Sequence, residues 1–360
     1  MFGTRPEIIR LSRIIPRIDH DAEHVLLHTG QNFTPALSDV FFGELGLREP
    51  DIHLGIRATT FADQLAQIIR ESDAAMARVA PDRVLILGDT NSGLAAIAAA
   101  RRGIPVYHLE AGNRSYDPRI PEEVNRRVID HASTVLMPYT ERSKENLVRE
   151  GIRRDRIFVI GNPIFEVLQH HASAVDASEI LSRLDLREKG YLAATLHRSE
   201  NVDAPERLAE LLRGIERCAE AAGVVAVVST HPHTADRVER AAIDVDEGLV
   251  RMLPPLGFCD FVRLERHALA VLSDSGTVQE ECSILRVPNV IIRDVTERAE
   301  TIEVGGSVLG GTRPADMVMA LRVALAGSLD WSPPAEYLVP NVSSTVAKIV
   351  LGFRYEGALY

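Results

Sequence analysis

Cysteine is scarce in this chain and long apolar runs are missing, and both shortages narrow what it can be. Cys218, Cys259 and Cys282 are the only cysteines in 360 residues; they lie far apart with no CxxC pair, so neither a disulfide framework nor a zinc site is expected. They read as small core residues. The longest apolar stretches, residues 94–100 and 224–228, fall far below the roughly 18 to 20 residues of a membrane-spanning helix, so no membrane association is expected. No run of basic residues occurs either. With 40 Lys and Arg against 51 Asp and Glu the net charge is −11, which argues against a general nucleic-acid surface and leaves any anionic ligand to local arginines. The opening Met1-Phe2-Gly3-Thr4-Arg5-Pro6 lacks a basic segment followed by an apolar one, so a cytoplasmic protein is expected. Low-complexity tracts and short repeats are absent as well.

What is present is a globular composition, 46% apolar and 25% charged, in a chain longer than the roughly 250 to 300 residues at which one core stops growing. Two domains follow. Short β-rich runs alternate with helical segments, the pattern of parallel sheets with crossover helices. Strands are expected at 25–29, 83–87, 106–109, 134–137 and 156–160, and in the second half at 191–195, 224–229, 249–253, 269–273 and 289–292. Helices are expected at 64–79, 92–102, 121–131 and 140–150, with Ser92 and Thr140 as N-caps and Gly103 and Gly151 as stops. The expected fold is α/β, with two Rossmann-like doubly wound domains, 1–168 and 178–342, facing a central cleft. A hinge is placed near 165–180, and a C-terminal segment 343–360, helical over 343–351, packs back on the first domain. Only Met1 and Phe2 precede the Gly3-Thr4-Arg5-Pro6 turn, so the first strand is expected to be cut short by the choice of start codon.

Polar clusters fall where the strands end, which is where open α/β sheets bind ligands. Asp274-Ser275-Gly276-Thr277 closes a strand and opens a helix; the free N–H groups there suit a phosphate, or Ser275 is an ordinary N-cap. Glu281, about one and a half turns later, could hold a ribose diol or lie on a solvated face. Arg5, Arg126 and Arg298 recur at strand ends with Arg10 one turn after Pro6, and guanidinium forks suit a diphosphate. Taken alone, Arg10 would equally be an exposed helix residue. Asp89, Glu110 and Glu122 in one half and His197 in the other suit proton transfer from two sides of a cleft; Glu122 could instead complement a helix dipole, and His197 could be structural. His231 and His233 flank Pro232 without a third ligand at metal spacing, so no metal is expected.

In this order, and over nearly the whole chain, Gly3-Thr4-Arg5-Pro6-Glu7, Gly88-Asp89-Thr90, Glu110-Ala111-Gly112, Pro121-Glu122-Glu123-Val124-Asn125-Arg126, Asp274-Ser275-Gly276 and Thr296-Glu297-Arg298 resemble the motifs of the non-hydrolysing UDP-N-acetylglucosamine 2-epimerases. The resemblance implies a glycosyltransferase-B type fold, a homodimer and the interconversion of UDP-GlcNAc and UDP-ManNAc by anti elimination of UDP, through 2-acetamidoglucal, and re-addition. It implies that Asp89, Glu110, Glu122 and His197 are acid–base residues. Arg5, Arg10, His231, Ser275, Gly276, Glu281 and Arg298 then contact UDP, and Arg126 lies near the diphosphate and sugar. No metal, NAD or pyridoxal is implied. Bacterial members usually show Thr-Gly-Gln-His and His-Arg-Arg-Glu-Asn at a regulatory UDP-GlcNAc site, where this chain has Asn32 and Ser199. Ala111-Gly112-Asn113-Arg114, Glu200-Asn201-Val202-Asp203 and Leu256-Gly257-Phe258 look closer to members acting on modified UDP-2-acetamido sugars.

Overall fold

The structure, a computed structural model, describes residues 1–30, 41–327 and 330–354. Two compact units make up the chain: Met1–Val167 with the segment from Glu336 onward, and Leu168–Ala335. Among the described residues no helix is long and apolar enough to cross a membrane.

The second unit is built on six parallel strands. They are β6 (Tyr191–Leu196), β7 (Val225–Thr230), β8 (Val250–Leu253), β9 (Ala270–Ser273), β10 (Asn289–Ile291) and β11 (Ser307–Leu309), in the order β8-β7-β6-β9-β10-β11. The chain runs outward from β6 to β8 and then returns to β9 on the other side, so the strand order reverses between β6 and β9. Every residue of β6 and β9 is buried, as expected for central strands covered on both faces. The crossover helix Pro205–Ala222 buries Leu208, Leu211, Leu212, Ile215, Cys218 and Ala219, a stripe at helical spacing. Gly223, at φ 68°, ends it in the left-handed region that glycine adopts most cheaply. Cys218 and Cys282 are buried and Cys259 is half-buried, all as free thiols.

The first unit repeats the design with shorter strands. β1 (Leu27–His28) pairs in parallel with β2 (Ile52–His53), and β3 (Val84–Leu87), β4 (Val106–Leu109) and β5 (Val135–Met137) form a second parallel set. Residues 1–2 join them: Phe2 bridges His28, and the amino group of Met1 donates to the Leu85 carbonyl at 2.8 Å. The order is therefore β2-β1-Phe2-β3-β4-β5, reversing between Phe2 and β3. The helix Val342–Gly352 lies on this unit, with Ser343 donating to Glu166 at 2.8 Å and the Tyr107 hydroxyl to the Phe353 carbonyl at 2.6 Å.

Two expectations need correction. Residues 156–160 form no strand: a 3-10 turn over Arg154–Arg156 leads into a single bridge, Leu136 to Ile157, along the edge of β5. Ser92 does not cap a helix, because a 3-10 turn over Asn91–Ala95, starting at Thr90, precedes the α-helix Ala96–Arg101. Ser92 lies buried inside that turn, 2.6 Å from the Thr29 hydroxyl. Strands β2 and β11, of two and three residues, went unexpected. Thr140 does cap its helix, accepting from the Ser143 N–H at 3.2 Å.

Candidate active site

In the first unit the site begins where Phe2 and β3 end, beside the reversal of strand order. Thr4 and Glu7 make a capping box that closes the turn before the helix Arg5–Leu11. One Glu7 oxygen accepts from the Gly3 N–H at 2.8 Å, the Thr4 N–H at 2.7 Å and the Thr4 hydroxyl at 2.9 Å, while Thr90 donates to the other at 2.8 Å. Burial pushes the Glu7 carboxyl above its ordinary pKa, against the pull of those donors. The turns after Phe2 and after β3 are thereby locked together.

Asp89, two residues past β3, accepts from Arg126 at 2.6 Å, and the Asn125 amide donates to its carbonyl at 3.1 Å. Arg126 and Asn125 come from the helix Pro121–Ala132, which opens on Pro121 at a position where a backbone N–H would have no intrahelical partner. Glu110 follows β4 with φ 66°, a left-handed conformation unusual for a side chain with a Cβ. Its carboxylate pairs with Arg10, and the Tyr139 hydroxyl donates to the same oxygen at 3.4 Å. Arg10 is buried, with its guanidinium 5.7 Å from the Tyr139 ring, and is not an exposed helix residue. Arg5 is exposed and stands 5.3 Å over the Phe41 ring. Glu122 is half-buried. Its neighbour Glu123, not singled out from sequence, accepts from Ser115, Tyr116, Arg126 and Arg127 at 3.0 to 3.2 Å and so ties the 115–116 loop to the helix.

In the second unit the site gathers at the reversal between β6 and β9. Asp274, fully buried, accepts from the backbone N–H groups of His197 and Arg198, from Asn201 at 3.1 Å, and pairs with His197 Nδ1 at 2.9 Å. Burial alone would raise the Asp274 pKa; His197 and the donors reverse the sign and hold it well below the carboxylate range. Next along, Ser275 caps the helix Gly276–Leu285, its hydroxyl accepting from the Val278 N–H at 3.5 Å. A Cβ on Gly276 would stand 3.0 Å from a Glu297 carboxylate oxygen, a tight contact that the Glu297 side chain would have to relieve by shifting a few tenths of an ångström. Arg298 is buried against Glu280, and Glu297 is held by Arg293 at 2.9 Å and Arg198 at 3.2 Å.

Glu281 is buried, so it lies on no solvated face. Its carboxylate adds to the burial that pushes the neighbouring Glu265 well above its ordinary pKa. His231 caps the helix Pro232–Arg240 through Nδ1, and His233 pairs with Asp203 at 2.8 Å. Ser199 opens the short helix Ser199–Val202; Asn32 lies outside the described residues. Sequence reading also missed His108 and Asp130, which are buried with Arg114 behind the first unit's turns. The inward spacing of Asn125, Arg126, Ile129 and Asp130 was the available signal.

Two Rossmann-like units, each with charged residues at the reversal of a parallel sheet, define the glycosyltransferase-B class of fold. The lipopolysaccharide glycosyltransferase WaaG shares it, with a TM-score of 0.59 at 12% identity over 98% of this chain and 97% of that one. The chain belongs to the UDP-N-acetylglucosamine 2-epimerase family, whose sequence profile matches residues 17–351. It is 36% identical over 342 residues to the UDP-N-acetylglucosamine 2-epimerase of Methanocaldococcus jannaschii, covering 93% of each. A crystal structure of the UDP-GlcNAc 2-epimerase from that organism, in complex with UDP-GlcNAc and UDP, has a TM-score of 0.92 at 35% identity and covers 97% of each chain.

Proposed function

We propose that this protein interconverts UDP-GlcNAc and UDP-ManNAc by anti elimination of UDP, through 2-acetamidoglucal, and re-addition of UDP. The C2 proton is not next to a carbonyl and is weakly acidic, so its removal needs a placed base together with support for the departing UDP. The observation that carries this reading is the pairing of Asp89 with Arg126 and of Glu110 with Arg10, two carboxylates set beside the strand-order reversal by buried arginines. Asp89, Glu110 and Glu122 serve proton removal and return. His197, turned by Asp274 through Nδ1, presents Nε2 as the remaining acid–base group. The first N–H groups of the helix Gly276–Leu285, with Ser275 and Arg298, bind the diphosphate, and Glu281 binds the ribose diol. Arg5, Arg10, Arg126 and His231 complete the substrate contacts. This reading goes with a cytoplasmic homodimer.

The test is incubation of the purified chain with UDP-GlcNAc alone, followed by anion-exchange chromatography and NMR. UDP-ManNAc should accumulate without any acceptor. Release of free ManNAc and UDP, or a requirement for an acceptor sugar, contradicts the reading.

A further inference from the structure

His108 sits inside β4 and Asp130 near the end of the helix Pro121–Ala132, and both are almost wholly buried. His108 Nδ1 lies 2.8 Å from one Asp130 oxygen and Nε2 lies 2.8 Å from the Gly88 carbonyl. The other Asp130 oxygen takes the Gly112 N–H at 3.2 Å and the Arg114 guanidinium at 2.8 Å. One carboxylate thus ties together two turns, that before Asp89 through His108 and that after Glu110 directly.

The partners decide how many protons the ring holds. A backbone carbonyl only accepts. Asp130 pairs with the buried Arg114 guanidinium at 2.8 Å, so it is a carboxylate and also only accepts. Both ring nitrogens of His108 therefore donate. The surrounding charges agree: Arg114 also pairs with Glu150, and Glu150 lies 4.0 Å from Arg127 and 3.7 Å from His131, so each cation has an acidic neighbour.

We propose that Asp130 and His108 are positioning residues for the epimerisation, the doubly donating imidazole fixing the Gly88-Asp89 turn and Asp130 fixing the Glu110-Ala111-Gly112 turn at one spacing. The inference rests on the function proposed above. Neither residue touches the substrate; they act by holding Asp89 and Glu110 where a shift of about 1 Å costs on the order of 10²-fold in rate.

The experiment compares wild type, Asp130→Asn, His108→Gln and His108→Ala by steady-state kinetics, UDP calorimetry and long-range 1H–15N spectra of the histidine side chains. In wild type at neutral pH both His108 ring nitrogens should carry protons. Asp130→Asn should lose about 10²-fold in kcat with KM and UDP affinity within about twofold, and His108 should then show one unprotonated nitrogen. His108→Gln, whose amide can donate to the Gly88 carbonyl, should recover part of the kcat that His108→Ala loses. An unprotonated ring nitrogen in wild-type His108, a kcat for Asp130→Asn within about threefold of wild type, or equal rates for the two His108 variants each overturns the proposal. A wild type that does not turn over UDP-GlcNAc overturns the function instead, while the nitrogen spectra, which need no turnover, still decide the bonding of His108.

Discussion

At the scale of single residues, the charged side chains are held by partners whose removal has separable consequences. Asp89 accepts from Arg126, and Arg126 keeps Glu123 as a second partner at 3.1 Å, so loss of the Asp89 charge leaves no stranded cation. Asp89→Asn should therefore fold normally while kcat falls by about 10² to 10⁴-fold and UDP affinity changes by less than about twofold. Steady-state rates and calorimetry on one preparation read both numbers. Arg298 behaves differently because its partner Glu280 is fully buried. Arg298→Ala removes the guanidinium proposed to hold the diphosphate and also leaves the buried Glu280 carboxylate without it. It should weaken UDP by about 1.5 to 3 kcal/mol and lower unfolding stability by about 3 to 5 kcal/mol. Adding Glu280→Gln should restore most of the stability and none of the UDP affinity. Recovery of both together would mean that Arg298 acts on the fold and not on the phosphate.

At the scale of elements, the strand ends matter more than the strands. The polar clusters after Phe2, β3, β4, β6 and β9 were legible because Gly, Asp, Ser and Thr interrupt apolar runs where a parallel sheet must turn. Thr140 was legible as a cap for the same reason. Ser92 was not, because the chain enters through a 3-10 turn that takes Ser92 into its interior. The run 156–160 has the composition of a strand but lies along one edge of β5 with a single bridge, which composition does not distinguish from pairing. Buried charge was hardest to read: Asp130 and Glu123 look like ordinary acids of an amphipathic helix, and only the structure puts Arg114, His108 and Arg126 against them. Gly276 allows a test at this scale. Alanine suits the first turn of a helix better than glycine, yet its methyl would crowd both Glu297 and the place assigned to the phosphate. Gly276→Ala should weaken UDP by roughly tenfold with no loss of thermal stability; a fall in both by equal free energy would make Gly276 a packing residue only.

For the whole molecule, the proposed function divides the reaction between the two units, with the residues proposed for proton transfer mainly in the first and those proposed for nucleotide binding in the second. The first unit also carries an acid sensitivity of its own. Burial, with His53 and the amino terminus adding to it, pushes the His28 pKa down to about 4, whereas an unfolded histidine titrates near 6.5. The unfolded chain binds more protons between these values, so this contribution is intact above about pH 6.5 and is lost as pH falls toward about 4. His28→Gln should flatten the fall in unfolding free energy across that window by up to roughly 3 kcal/mol. An unchanged slope in chemical denaturation at several pH values would exclude His28 as its source.

In the proposed reaction the C2–H bond breaks and re-forms through protein groups open to solvent protons, with UDP leaving and returning. Incubation with UDP-GlcNAc in deuterated water, followed by NMR of the recovered sugar nucleotides, tests it most directly. Proton removal and return by different side chains predicts UDP-ManNAc carrying deuterium at C2, and deuterium at C2 of the recovered UDP-GlcNAc as well. Product that keeps the original hydrogen at C2 throughout would contradict elimination and re-addition, and would require the stereocentre to invert without solvent exchange.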